Sequence, residues 1–133
     1  IVFRDVLVAL AEARKHELSQ KAKLYMDRKS GKKQVTRWQR RYHNDTARVK
    51  SHCVLKSMAK NVPYTVLVDR RADPPLLRRI LPVEVERLQG FPDGYTEGAA
   101  KCHRLGCLGN AVCAKVAEHV MRSLKDTRDK MVA

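Results

Sequence analysis

Arg78-Arg79-Ile80-Leu81-Pro82-Val83-Glu84-Val85-Glu86-Arg87-Leu88-Gln89-Gly90-Phe91-Pro92-Asp93-Gly94-Tyr95 carries the most information in this chain. Proline has a fixed φ that suits the first turn of a helix, so Pro82 marks a start. Glu84 and Glu86 complement the positive helix end, while Val85 and Leu88 have the spacing to point inward. Gly90 ends the helix in a backbone state that other residues resist, and Phe91-Pro92 turns the chain away. The stretch reads as a short, well-bounded helix and turn.

Upstream, Tyr64 to Val68 is rich in β-branched residues and reads as a strand, and Asp73-Pro74-Pro75 stops regular structure after it. Val2, Phe3, Val6, Leu7, Leu10 and Ala13 recur at helical spacing, predicting a first helix. Ser19 is placed to cap a second, with Ala22, Leu24, Tyr25 and Met26 as its apolar residues and Ser30-Gly31-Lys32-Lys33 as its end. Val54 to Ala59 reads as either a short helix or a strand, broken at Asn61-Val62-Pro63. Downstream, Val112, Val116, Ala117, Val120, Met121 and Leu124 lie on one face of a further helix.

Residues 34–50 lack a clean period. They interleave Arg37, Arg40, Arg41, Arg48 and Lys50 with Trp38 and Tyr42. Basic groups pair with phosphates and planar aromatics stack on bases, so Arg37, Trp38, Arg40, Arg41 and Lys50 are candidates for contact with nucleic acid. A solvated loop with Trp38 buried explains the same residues, and both readings stay open.

Charge points the same way. Twenty-eight Lys and Arg against fourteen Asp and Glu leave the 133-residue chain at +14, a field that favours polyanions. Residues 1–60 hold sixteen basic and five acidic side chains, a net of +11, so a polyanion is expected to meet the first half. The 44% hydrophobic content permits a packed core, with seven aromatic residues to fill it.

No apolar run approaches the ~20 residues of a membrane span. Cys53, Cys102, Cys107 and Cys113 lack paired C-x-x-C spacing and are expected to be free core thiols in a reducing intracellular compartment. A zinc site made from Cys102, His103, Cys107 and Cys113 fits no ordinary pattern, and no metal is expected. The chain opens at Ile1 rather than methionine, as expected of one that lacks its parent's N-terminus.

As a string, the opening stretch resembles the ninth block of the DNA cytosine-5 methyltransferases, written R-x-L-T-P-x-E-x-x-R-L-Q-G-F-P. Pro82, Glu84, Arg87, Leu88, Gln89, Gly90, Phe91 and Pro92 match in order. Leu81 departs from it, standing where a threonine would cap the helix; losing such a cap costs on the order of 1 kcal/mol. Arg104-Leu105-Gly106-Cys107-Leu108-Gly109-Asn110-Ala111-Val112 follows in the right order and resembles the tenth block, centred on G-N-[AS]-V. A softer similarity to a phage-encoded subset runs through Leu18 to Lys29 and Val62 to Leu67.

The resemblance implies a DNA (cytosine-5-)-methyltransferase using S-adenosyl-L-methionine on double-stranded DNA, as in restriction–modification, located in a bacterial or phage-infected cytoplasm or in a nucleus. It implies an α+β fragment, mainly helical with few short strands, from the C-terminal part of an α/β Rossmann-like enzyme. Residues 1–97 would belong to the target-recognition domain, and residues 98–133 would form a loop and helix returning to the cofactor domain. Gly109, Asn110 and Ala111 would border the cofactor, with a helix N-terminus offering N–H groups to its carboxylate.

The family's P-C-Q and E-N-V blocks are absent from this sequence, so no catalytic residue is assigned and the chain alone is expected to be inert. The missing catalytic half would come from the same parent chain or from a partner subunit. A basic nucleic-acid-binding module without methyltransferase chemistry is the competing class; it leaves the order of the two blocks unexplained.

Overall fold

A computed structural model describes residues 3–23, 44–45, 50–51, 53–56 and 66–132. The order is a 3-10 helix (Phe3–Val6), α1 (Leu10–Arg14), β1 (Asn44–Asp45), β2 (Val66–Asp69), β3 (Leu76–Arg79), α2 (Pro82–Gln89), α3 (Lys101–Asn110) and α4 (Ala114–Val132). Helical segments with three short strands match the expected α+β character. Among the described residues no helix is long and apolar enough to cross a membrane.

The first helix expected from the apolar spacing is divided in two. Its interruption has a tertiary cause. The Val8 N–H donates to Glu84 Oε1 at 3.1 Å and the Val8 carbonyl accepts from Arg71 Nη1 at 2.8 Å, so neither group is free to close a helical turn. Phe3, Val6 and Leu7 are nevertheless buried, packing with Leu67 of β2 and with Leu88. Ser19 caps as expected: its Oγ accepts the Ala22 N–H at 3.3 Å and its carbonyl the Lys23 N–H at 3.0 Å.

Of the strand expected at Tyr64 to Val68, residues 64 and 65 lie outside the described residues and the rest is found in β2, the centre of a mixed three-stranded sheet ordered β1-β2-β3 among the described residues. β1 lies within the stretch read as an aperiodic loop and pairs in parallel, Asn44 opposite Leu67 and Asp45 opposite Val68. β3 was not foreseen. It pairs antiparallel with β2, from Val66 opposite Arg79 to Asp69 opposite Leu76. Its alternation is of an unusual kind, since the buried positions are Leu76 and Arg78. Glu17 bridges to Arg78 and the Leu18 N–H reaches the Leu77 carbonyl at 2.9 Å, which covers the outer edge of β3.

α2 begins at Pro82 and ends at Gly90, as the sequence dictates. Gly90 takes φ 78°, and its N–H closes on the Arg87 carbonyl at 3.1 Å. Leu81 has no side-chain acceptor, but the reciprocal half of a capping box survives: Glu84 Oε2 accepts the Leu81 N–H at 2.9 Å. Glu84 and Glu86 do more than complement a helix end, because both are fully buried.

Beyond residue 97 the expected loop is a second helix, α3. Leu105 and Leu108 on its inner face join Ile80 and Val85 in one core, with Val54, Leu88 and Phe91 packed against it. That core therefore draws on residues from both sides of position 97. α4 has no buried residue, and Val116, Val120, Met121 and Leu124 are 49–66% exposed, which leaves the expected apolar face uncovered among the described residues.

Candidate functional site

Two buried charge networks hold α2 in place. In the first, Arg78 donates to Glu84 twice, Nη1 to Oε2 at 2.8 Å and Nη2 to Oε1 at 2.7 Å. Its Nε and Nη2 also lie 3.3 Å from Asp69 Oδ2, and Asp69 is held in turn by Arg71 at 2.8 and 2.6 Å. Two arginines against two carboxylates leave the group neutral, which makes burial tolerable. Burial alone would raise the Asp69 carboxyl; the Arg71 hydrogen bonds and the charges of Arg71 and Arg78 outweigh it and hold it below the usual range.

The second network organises the turn after α2. Glu86 accepts from the Gly94 N–H at 2.8 Å, the Thr96 N–H at 3.0 Å, the Thr96 hydroxyl and Arg104 Nη2 at 2.9 Å. Burial pushes Glu86 up, but the bonds from Thr96 and Arg104 prevail and its carboxyl sits below the usual range. Arg87 grips Asp93 with two bonds of 2.7 and 2.5 Å and donates to the Val6 carbonyl at 3.1 Å. Phe91 stacks on Tyr95 with centroids 4.6 Å apart, while Pro92 is exposed.

These contacts bring the two sequence blocks together. The buried Gln89 side chain donates from Nε2 to the Leu108 carbonyl at 2.9 Å, and the Ala111 N–H reaches the same carbonyl at 3.2 Å. A Cβ on Gly90 would meet Lys115 Cγ at 3.2 Å and Ala114 Cβ at 3.8 Å, so the turn after α2 sits on the start of α4. Between α2, the end of α3 and the Ala111–Cys113 link to α4 lies an open cavity of about 480 Å³. Leu88, Gln89, Gly109, Ala111 and Cys113 line it together with Lys50, Ser51, Cys53 and Val54.

The helix end expected at Gly109–Ala111 is displaced. Gly109 and Asn110 close α3, Ala111 is its cap, and the next positive helix end belongs to α4, whose first turn begins on the Cys113 carbonyl. The Ala111 N–H is already used, so the free leading N–H groups lie a few residues later. Gly109 and Ala111 border the cavity, and Asn110 is exposed beside it.

Of the nucleic-acid candidates, Lys50 is exposed on the cavity wall; Arg37, Trp38, Arg40 and Arg41 lie outside the described residues. Of the four thiols, Cys53, Cys102 and Cys107 are exposed and Cys113 is half-buried, so none is a core thiol. Sequence reading missed Asp69, Arg71 and Arg78; the signal available was an arginine two residues after Leu76 in an alternating strand.

The model of the C-5 cytosine-specific DNA methylase family matches residues 6–126. The chain is 51% identical over 35 residues to the type II methyltransferase M.Sau3AI of Staphylococcus aureus, covering 26% of this chain and 8% of that protein. It is 56% identical over 39 residues to a DNA N-6-adenine-methyltransferase of Escherichia phage P1, covering 29% of this chain and 5% of that protein. The matched stretches are thus small parts of both relatives. No solved structure matches the chain. With the family model running through both charge networks and every residue that lines the cavity, the chain belongs to the C-5 cytosine-specific DNA methylase family of DNA methyltransferases.

Proposed function

We propose that this chain supplies target recognition and one wall of the cofactor pocket of a DNA (cytosine-5-)-methyltransferase. The observation that carries the reading is the cavity in which Gln89 and Leu88 of α2 meet Gly109, Ala111 and Cys113, with Lys50 also in its lining. A volume near 480 Å³ suits a cofactor-sized ligand, and the lining mixes apolar surface with a few polar groups. S-adenosyl-L-methionine, when bound, supplies an electrophilic methyl group. Gly109, Asn110 and Ala111 border it in this reading, and the leading N–H groups of α4 favour its carboxylate.

Residues 1–97 form the recognition portion and residues 98–133 return toward the cofactor domain. The core of Ile80, Val85, Leu105 and Leu108 holds the two against each other. Arg37, Trp38, Arg40, Arg41 and Lys50 meet double-stranded DNA, with phosphates setting affinity. The cysteine and glutamate blocks that carry the chemistry in the family come from the catalytic half, on the same parent chain or on a partner subunit.

The test is methyl transfer from tritiated cofactor to duplex DNA. The chain alone transfers nothing, and adding a catalytic portion that carries the P-C-Q and E-N-V blocks restores transfer to cytosine carbon 5. Robust transfer by the chain alone overturns the reading.

A further inference from the structure

Gly109 occupies a place where a side chain is excluded by main chain. An ideal Cβ there would stand 2.2 Å from the Lys56 nitrogen, 2.4 Å from the Leu55 carbonyl carbon and 2.6 Å from the Lys56 Cα. None of these atoms is the tip of a flexible side chain that can swing away. Gly106, on the same helix, has nothing within 4 Å of its own ideal Cβ. The need at Gly109 is therefore close approach of a second backbone rather than a special φ.

The approaching backbone is continuous with the far wall of the cavity. Cys53 and Val54 line it immediately before Leu55, and Lys50 lies on the same wall. Gly109 and Cys113 line the same cavity. The contact at Gly109 is thus where the two walls touch, and a side chain there would push the Cys53–Val54 wall off the helices.

We propose that Gly109 is a positioning residue: its bare Cα seats the Leu55–Lys56 backbone, and this seat holds the segment carrying Lys50 against the cavity that Cys113 also lines, coupling access to the cavity with binding of a polyanion at Lys50. The inference rests on the proposed function only in naming duplex DNA as that polyanion. Coupling of this kind is reciprocal, so a ligand that holds the wall down slows entry to the cavity.

The test is alkylation of the 133-residue chain by N-ethylmaleimide, followed site by site by mass spectrometry, with exposed Cys102 and Cys107 as internal references. Gly109→Ala accelerates Cys113 roughly tenfold through local opening, leaves Cys102 unchanged, and is not copied by Gly106→Ala. Val54→Asp, which loosens the same wall while leaving the helix's own sequence unchanged, gives the same acceleration. A short duplex, its binding followed by fluorescence anisotropy, slows Cys113 severalfold in the parent sequence and has no such effect in Gly109→Ala.

An unchanged Cys113 rate in Gly109→Ala that keeps its helical circular dichroism overturns the seat. If that variant fails to fold, an unchanged rate in Val54→Asp overturns it instead. A duplex that binds without slowing Cys113 overturns the coupling. Absence of duplex binding removes the DNA reading while the alkylation rates of the two variants still decide the seat.

Discussion

Arg78 and Glu84, six residues apart in sequence, face each other through two hydrogen bonds of 2.8 and 2.7 Å with neither side chain exposed to solvent. One sits on β3 and the other on the first turn of α2, so the pair fixes the angle at which the helix leaves the sheet. Removing one member strands a buried charge, which typically costs 3–5 kcal/mol. Glu84→Ala is expected to lose about that much in urea denaturation, a large share of a small domain's stability. The double variant Arg78→Met, Glu84→Leu is expected to lose less than Glu84→Ala alone, because Arg71 still pairs with Asp69. Equal losses would mean the pair's mutual attraction is not what matters.

Acid is expected to weaken the fold through Asp69 and Glu86. Both carboxyls sit below their usual range, because the arginine and Thr96 partners outweigh burial. A depressed folded-state pKa contributes stability that is fully present above the unfolded values of about 3.9 and 4.3 and disappears as pH falls through the folded values. Urea midpoints measured from pH 7 down to pH 3 should decline only below about pH 5. In Glu86→Gln the decline should be shallower, since one of the linked protons is gone.

The glycines offer a paired prediction. Gly90 sits at φ 78° against Lys115, so Gly90→Ala is expected to cost about 1 kcal/mol or somewhat more from backbone strain. Gly106 lies inside α3 with open space around it, so Gly106→Ala should stabilise by up to about 1 kcal/mol through helix propensity. Thermal melts of the two variants check the opposite signs.

Duplex binding should weaken linearly in log affinity against log salt, the signature of counterion release from phosphates. Replacing Lys50 or Arg40 by alanine is expected to reduce the slope by about 1 and to weaken binding alike for unrelated sequences. A substitution that changes sequence preference instead would move that residue from phosphate contact to base reading.

What the sequence made legible was whatever local chemistry decides. Pro82 and Gly90 bound α2 without help from the rest of the fold, and Ser19 caps its turn for the same reason. β3 was hidden because its buried positions alternate between a leucine and an arginine, and only the distant Asp69 and Glu84 make Arg78 a core residue. The break at Val8 depends on partners 63 and 76 residues away, which no spacing rule sees. The loop expected before the last helix came from the family resemblance, and Leu105, Leu108 and Arg104 secure α3 there by packing and pairing that no local signal announces. At the site, the motif order pointed to Gly109, Asn110 and Ala111, of which Gly109 and Ala111 line the cavity; that Lys50, Ser51, Cys53 and Val54 line it too is a product of tertiary contact alone.

The core that Ile80 and Val85 share with Leu105 and Leu108, together with the hook from Gln89 to the Leu108 carbonyl, has a consequence for chimeras. Exchanging recognition regions between relatives is a matter of where the crossover falls. A junction anywhere from residue 80 to residue 108 would mate one parent's α2 with the other's α3 and mismatch their side-chain volumes. Junctions placed before Phe3 and after Cys113 would keep these contacts and those of Phe3, Val6 and Leu7 with Leu67 and Leu88 within one parent, so recombinants of that design should stay folded while midway splices aggregate.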